Sequence, residues 1–126
     1  YDKNEVLRVL KPNGTFIVNQ NGSENLHEFL SMYMPFKMRG VWDMNSCAMT
    51  LAEAGFEVVE TKEDKGYIRF HNLRQIQTYF RKVAPEVAEN VAQYKSFYMN
   101  ALDQIKQNTY FQLTTYRFLV VAKKNF

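Results

Sequence analysis

The sequence has little cysteine, and its apolar residues form no long run. Its single cysteine, Cys47, excludes a disulfide within the chain and is typical of a reducing, cytoplasmic setting. Cys47 falls on the apolar side of a predicted helix, so we expect a buried, unreactive thiol rather than a nucleophile. No apolar run approaches the ~20 residues that a membrane-spanning helix needs, and no signal peptide is visible. No membrane partner is therefore expected.

An excess of charge of one sign is also missing. Lysines and arginines number 16 against 13 acidic residues, and the basic residues are scattered rather than gathered into a track. The segment Tyr67–His71 alternates aromatic and basic residues but lacks the glycine–aromatic pattern of an RNA-recognition strand, so nucleic-acid binding is not expected. His27, His71 and Cys47 do not have the spacing of metal ligands, and no metal site is predicted.

The composition is that of one packed domain. The chain has 126 residues, of which 46% are hydrophobic and 15% aromatic, and a chain of this length buries roughly two-thirds of its unfolded surface. The many aromatic side chains can supply a core, a partner surface or a substrate pocket. The core is the simplest of these interpretations.

Hydrophobic periodicity and capping residues predict alternating helices and strands. In chain order we expect a first helix capped by Asp2, a turn at Asn13-Gly14 and a strand at Thr15–Val18. A helix from Glu24 to Met34 follows, capped by Ser23 and ended by Pro35, and then a linker at Phe36–Val41. The next helix is capped by Asp43, Asn45 or Ser46 and ended by Gly55, and it leads into a strand at Phe56–Thr61. There follow a charged turn at Glu60–Lys65, a short extended piece at Gly66–Phe70, a helix capped by Asn72, a long helix from Pro85 to about Ile105, and strands at Tyr110–Leu113 and Tyr116–Ala122.

These elements predict an α/β fold. The strands at Thr15–Val18 and Phe56–Thr61 are joined by a helical crossover, which favours a parallel arrangement. The last strand is apolar on both alternating faces, so we expect it to be central and to insert between the other two, antiparallel to both. The strand at Thr15–Val18 would then be an apolar open edge, which the missing part of a larger sheet, a second copy or a rearranged element would cover.

Several segments together resemble class I S-adenosylmethionine-dependent methyltransferases. They are RVLKPNG (residues 8–14), QNGSEN (20–25), AGFEVVE (54–60), YIRFHNLRQIQTYFRKVAPE (67–86) and YFQLTTYRFLVVAKK (110–124). In that family the first segment lies past the middle of the chain and leads into the fifth strand. The resemblance implies a partial Rossmann-like methyltransferase sheet, with the last three strands, mixed parallel and antiparallel, and flanking helices.

The same resemblance implies that residues 1–126 form the C-terminal part of a methyltransferase domain whose N-terminal, cofactor-binding half is absent. The sequence has no glycine-rich loop after a strand and no acidic residue placed to bind a ribose hydroxyl. S-adenosylmethionine is accordingly expected in the full-length enzyme, but we expect none bound to this piece, and we predict the piece alone to be inactive. The methyl acceptor is not identified by the sequence.

Four polar residues are candidates for binding a substrate. Gln20 and Asn25 follow the first strand, where open α/β sheets place their ligands. Arg69 can bind a carboxylate or phosphate, and His71 can act as a base near neutral pH. The competing interpretation is that these side chains turn the chain, cap helices or face solvent. No nucleophile–base pair is recognisable, and methyl transfer depends largely on positioning, so no catalytic residue is predicted.

A different class of function remains open from the same elements. The chain can be a self-sufficient, non-catalytic α/β module for binding or dimerisation. On the first interpretation, the exposed sheet edge and the helix faces that would pack against the absent half favour self-association.

Overall fold

The computed structural model describes residues 1–33 and 41–126. Its elements are, in chain order, α1 (Lys3–Val9), β1 (Thr15–Asn21), α2 (His27–Tyr33), α3 (Met44–Ala54), β2 (Glu57–Phe70), α4 (Leu73–Val83), α5 (Pro85–Glu89), α6 (Lys95–Asn108) and β3 (Phe111–Lys123). The predicted helix end at Met34–Pro35 and all but the last residue of the linker Phe36–Val41 lie outside the described residues.

The three strands form a sheet in the order β1-β3-β2, with β3 antiparallel to both neighbours. Val120 of β3 lies opposite Val18 of β1 and Thr61 of β2. Because both outer strands are antiparallel to β3, they are parallel to each other. The predicted α/β fold, with the final strand in the centre of a mixed sheet, is confirmed.

The predicted charged turn at Glu60–Lys65 is wrong, because these residues belong to the continuous 14-residue strand β2. β3 is 13 residues long and offers backbone partners along its whole length, so that Asp64 lies opposite Arg117 and Lys65 opposite Tyr116. A register shift between Val58 and Glu60 adds a β-bulge. The charged side chains lie on an outer strand in contact with water, where charges and bulges protect an edge from unwanted pairing.

The caps that the sequence predicts are largely confirmed. The Asp2 side chain accepts hydrogen bonds from two amides of α1, Asp43 accepts from the Ser46 amide and Asn72 from the Gln75 amide. Gly55 ends α3 with a φ of 112°, a left-handed conformation that glycine adopts without strain. These caps fix where three helices begin and where α3 ends.

Two helix boundaries differ from the prediction. α2 begins at His27 rather than Glu24, because Leu26 has a φ of 55°, which is not helical. The hydroxyl of Ser23, the predicted cap, accepts a hydrogen bond from the Trp42 amide. The predicted long helix is interrupted after α5, where the Asn90 side chain donates to the Glu86 carbonyl and closes the helix end. Local hydrogen bonds of short polar side chains compete with the helix at such positions.

The core formed by residues 1–33 and 41–126 consists of two clusters on opposite faces of the sheet. The first lies under α2, α4, α5 and α6 and includes Phe111 and Leu113 of β3. The second lies under α1 and α3 and includes Phe118 and Val120. Because successive side chains of a strand alternate between faces, the odd-numbered and even-numbered positions of β3 serve different clusters.

One half of the sheet has an uncovered face. Ile17 is 58% exposed and Val59 is 52% exposed, and the neighbouring Leu119 and Val121 are only partly buried. No described element packs over these side chains. Thr15–Val18 has the continuous apolar sequence typical of a strand covered on both faces, but within the described residues one of its faces is uncovered. Within the ranges 1–33 and 41–126, no helix is long and apolar enough to cross a membrane.

Candidate functional site

The four predicted substrate-binding residues lie in two groups near the carboxyl ends of β1 and β2. They are Gln20, Asn25, Arg69 and His71. β1 ends opposite Arg117, whereas the longer β2 ends opposite Phe111. The ends of the two strands are therefore six positions apart along β3, or about 20 Å at ~3.4 Å per residue. The fold therefore brings Gln20 near Asn25 and Arg69 near His71, but it does not bring the two pairs together.

Gln20 contacts Trp42 at the end of β1. The Trp42 ring nitrogen donates to Gln20 Oε1 at 2.9 Å, and the indole packs edge-on against Phe118 at 6.2 Å between ring centroids. The Ser23 amide donates to the Trp42 carbonyl oxygen and the Trp42 amide donates to the Ser23 hydroxyl, and these two hydrogen bonds hold the segments together. Gln20 and Trp42 line an open cleft of about 550 Å³. The Gln20 amide nitrogen, for which the structure gives no partner among the described residues, can donate to a ligand there.

Asn25 has a structural contact that the sequence did not reveal. Its Oδ1 accepts a hydrogen bond from the Tyr116 amide at 2.9 Å, beyond the point where β1 stops pairing with β3. Three residues later, Glu28 accepts from the Thr114 amide and hydroxyl. Beyond the end of β1, these side chains provide the hydrogen-bond acceptors that a neighbouring strand would otherwise give to β3. The Asn25 oxygen therefore has a structural hydrogen bond.

A second, more enclosed cavity of about 210 Å³ lies next to Tyr116. Its ionisable lining consists of Glu24, Asp43, Glu63, Lys65 and Tyr116. The Tyr116 hydroxyl accepts a hydrogen bond from a backbone amide of α3 at 3.0 Å. The cavity joins residues of several elements that are distant in sequence, which explains why sequence patterns did not indicate it.

The charges around this cavity follow from local contacts. Glu63, 3.4 Å from the Lys65 ammonium, raises the pKa of Lys65. The hydrogen bonds from Ser46 lower the pKa of Asp43, and burial raises the pKa of Tyr116. At neutral pH the cavity therefore presents the Asp43 carboxylate, the Lys65 ammonium and the neutral Tyr116 phenol. Such a lining can hydrogen-bond a polar ligand.

Arg69 and His71 lie at the far end of the β2–β3 pair. The Arg69 guanidinium lies over the rings of Tyr67 and Tyr110, 4.7 and 4.3 Å from their centroids, and its Nε donates to Gln112 Oε1 at 3.1 Å. His71 Nδ1 lies 3.2 Å from the carbonyl oxygen of Thr109. Since that oxygen can only accept, we assign the proton to Nδ1.

Cys47 is buried with no exposed surface, as predicted. Its sulfur lies 3.8 Å from the Tyr1 hydroxyl. Burial raises the pKa of the Cys47 thiol, and burial together with the cysteine contact raises the pKa of Tyr1 to about 12. A thiol with a raised pKa and no access to solvent is a poor nucleophile. No group of metal-binding side chains occurs within the part of the chain that the structure describes.

Comparisons with family models and with curated protein sequences give no match. Comparison with solved structures gives a putative methyltransferase from Bacillus halodurans C-125, at a TM-score of 0.62 and 16% sequence identity. The similarity covers 98% of this chain and 57% of that one, so this chain spans little more than half the length of that structure. At this identity the likeness concerns the fold, and the chain has a methyltransferase-like fold.

Proposed function

We propose that this chain is the C-terminal, acceptor-side portion of a class I S-adenosylmethionine-dependent methyltransferase acting on an unidentified acceptor. The N-terminal, cofactor-binding half of the domain would lie outside these 126 residues. The observation that carries the proposal is the match of 98% of this chain to only 57% of a methyltransferase-like structure. The central antiparallel strand β3 and the sequence resemblances described above support the same assignment.

The described residues do not fit the cofactor themselves. Neither β1 nor β2 leads into its helix through a glycine-rich loop, and Gly22 is the single glycine in the segment between β1 and α2. Glycine-rich turns let a backbone approach a nucleotide closely. The proposal therefore assigns cofactor binding to the absent half and derives no chemical step from residues of this chain. The isolated chain is proposed to be inactive.

The acceptor side of the proposal rests on the loops after β1. Gln20 with Trp42 lines one cleft, and Ser23 and Glu24 of the following loop line the cavity beside Tyr116. Gln20 is the penultimate residue of β1, and Ser23 and Glu24 follow the end of that strand, in the region where open α/β sheets bind ligands. Gln20 is the predicted substrate-binding residue with a free donor nitrogen next to such a cleft, so we assign it to acceptor positioning. Asn25 has a structural role instead, because its side-chain oxygen accepts a hydrogen bond from the backbone of β3.

The reading frame upstream of Tyr1 in the encoding gene tests the proposal. A strand followed by a glycine-rich loop within the preceding ~100–130 residues, the length of a nucleotide-binding half-domain, is expected. A start codon close to Tyr1 would instead favour the second candidate, a non-catalytic α/β module for binding or dimerisation.

The open side of the sheet favours an association of some kind. β1 has the uncharged sequence TFIVNQN and exposes Ile17, whereas the other edge strand, β2, is protected by charges and a bulge. Uncharged edges without a bulge readily pair with another strand. We propose that the isolated chain self-associates through β1, in the reducing, cytoplasmic setting that its single buried cysteine suits.

A further inference from the structure

Arg69 is held on three sides although it lies on an exposed strand. The rings of Tyr67 and Tyr110 flank its guanidinium at 4.7 and 4.3 Å, and its Nε donates to Gln112 at 3.1 Å. Arg69 lies directly opposite Gln112 in the β2–β3 register. Most exposed arginines have many side-chain conformations, but these contacts select one orientation of the guanidinium plane.

The contacts of Arg69 leave the outer edge of its guanidinium unused. The hydrogen bond to Gln112 uses Nε only, and no described residue accepts from the terminal Nη1 and Nη2 groups. The four ion pairs of the described chain all involve other residues. Two parallel N–H groups on a fixed plane match the two oxygens of a carboxylate or phosphate.

The sequence around Arg69 also lacks a competing carboxylate. No acidic residue occurs between Lys65 and Pro85, and the basic residues in that range are Arg69, Arg74, Arg81 and Lys82. The acidic residues of β2, which end at Asp64, are five or more positions away along the strand, or about 17 Å at ~3.4 Å per residue. The carboxylate of Glu28 lies at Thr114, opposite Tyr67, but accepts hydrogen bonds from the Thr114 amide and hydroxyl. The basic residues of β2 and α4 around Arg69 therefore leave room for an anion brought by a ligand.

We propose that Arg69, fixed by Tyr67, Tyr110 and Gln112, is a binding site for an oxyanion, either a carboxylate or a phosphate group. The fixed plane lowers the entropy that binding would otherwise lose, and the free edge gives two charge-assisted hydrogen bonds. The site is about 20 Å along β3 from the Gln20 cleft, by the same rise of ~3.4 Å per residue. The inference does not depend on methyl transfer, because binding at this site needs only residues described in this chain.

Nuclear magnetic resonance titration of the 126-residue protein tests the site. Sodium phosphate and sodium acetate are added in separate series at constant ionic strength, balanced with sodium chloride. We expect the Arg69 Nε–Hε signal and the Gln112 amide signal to shift and saturate, with a dissociation constant on the order of 1–10 mM for a single exposed fork. Tighter binding of acetate would indicate a carboxylate ligand, and tighter binding of phosphate a phosphorylated one.

Substitutions at Arg69 and Tyr110, with one control at Arg117, distinguish binding by the planar guanidinium from binding by positive charge alone. Arg69→Lys keeps the charge but loses the planar fork, and we expect the Gln112 response to weaken at least tenfold. Tyr110→Leu should weaken binding about threefold to fivefold, the effect of one exposed cation–π contact, whereas Tyr110→Phe should retain it. Arg117→Lys, the same substitution at an exposed position of the neighbouring strand β3, is the matched control and should have no effect.

Two results would overturn the inference. One is a response to phosphate and acetate that does not exceed the response to sodium chloride. The other is a saturable response that Arg69→Lys leaves intact, since the anion would then be bound elsewhere. If Arg69→Lys alters the fold, as its amide spectrum would show, the comparison of Tyr110→Leu with Tyr110→Phe decides the question.

Discussion

Gly22 follows directly on β1 and packs against Tyr116 next to the candidate site. A Cβ added at Gly22 would lie 2.2 Å from the Tyr116 ring and 2.9 Å from the Trp42 carbonyl oxygen. Neither neighbour can retreat, because Tyr116 is 2% exposed and the oxygen belongs to the backbone. We expect Gly22→Ala to lower the free energy of unfolding by about 3 kcal/mol, the upper part of the range for overpacking. Urea denaturation measures the change.

Gly66→Ala is the matched control for this prediction. Gly66 lies on an exposed part of β2, and a Cβ added there would lie 3.2 Å from the Thr115 hydroxyl, which can rotate away. We expect a change within about 0.5 kcal/mol, typical of surface substitutions. Equal losses of stability at the two glycines would show that Gly22 is not specially constrained by Tyr116.

Cys47 provides a prediction about accessibility. Because the thiol is fully buried and burial raises its pKa, we expect the native protein to react slowly with a thiol reagent at neutral pH. The unfolded protein should react with one equivalent within the mixing time. A variant with Cys47→Ser and Met49→Cys, which moves the thiol to a position that is 63% exposed in the native chain, should react rapidly when folded. Rapid labelling of native Cys47 would contradict the buried position.

At the scale of elements, Asn25 tests whether the edge of β3 needs its side-chain support. Asn25→Ala leaves the buried Tyr116 amide without its acceptor, which we expect to cost about 1–3 kcal/mol of unfolding free energy. Asn21→Ala, at the exposed end of β1, is the control and should change stability by less than about 0.5 kcal/mol. If Asn25→Ala has the same free energy of unfolding as the wild type in chemical denaturation, the structural role is contradicted. The substrate-binding role predicted from the sequence would then be favoured.

The Asp43 cap of α3 predicts a pH dependence. Its folded pKa is lowered from the usual 3.8 by hydrogen bonds from Ser46, so the charged form stabilises the fold above that usual value. This contribution is lost as the pH falls through the lower, folded pKa. Asp43→Asn keeps a capping acceptor, and we expect it to flatten the fall in stability below about pH 4. Asp103→Asn on the surface of α6 is the control, and an identical pH profile of wild type and Asp43→Asn would contradict the prediction.

The sequence predicts local structure better than it predicts the candidate site. Asp43, Asn72 and Gly55 act within their own helices, and capping chemistry identifies them from neighbouring residues. The charged residues in the middle of β2 have the composition of a turn, so the sequence does not predict that β2 is continuous. The strand forms there because β3 is long enough to supply backbone partners along all of it. The contact of Asn25 with Tyr116 and the position of Tyr110 over Arg69 join residues distant in sequence. Periodicity carries no signal for such pairs.

At the scale of the whole molecule, the uncovered half of the sheet predicts association. Ile17 of β1 is 58% exposed next to partly buried apolar residues of β3. We expect sedimentation velocity to show a concentration-dependent dimer or larger species, and Ile17→Lys to shift it towards the monomer, since a charge on the edge opposes strand pairing. Met99→Lys, at an equally exposed position of α6, should not. A monomer at high concentration in the unmodified protein would exclude self-association.

The methyltransferase-like fold and the partial coverage of its neighbour lead to one central claim. This chain is proposed to be the acceptor-side portion of a larger enzyme, with the binding of S-adenosylmethionine supplied by residues outside it. The two open features of the sheet, the edge of β1 and the apolar face around Ile17, are where additional chain of the same domain would pack. Such a chain would also remove the apolar surface that favours self-association.

Isothermal titration calorimetry with S-adenosylmethionine tests this claim most directly. The 126-residue protein is compared with the protein encoded by the extended reading frame. We predict no measurable binding to the 126-residue chain and saturable binding to the extended protein. Micromolar binding to the 126-residue chain would contradict the claim, as would an extended protein that contains a glycine-rich loop and does not bind.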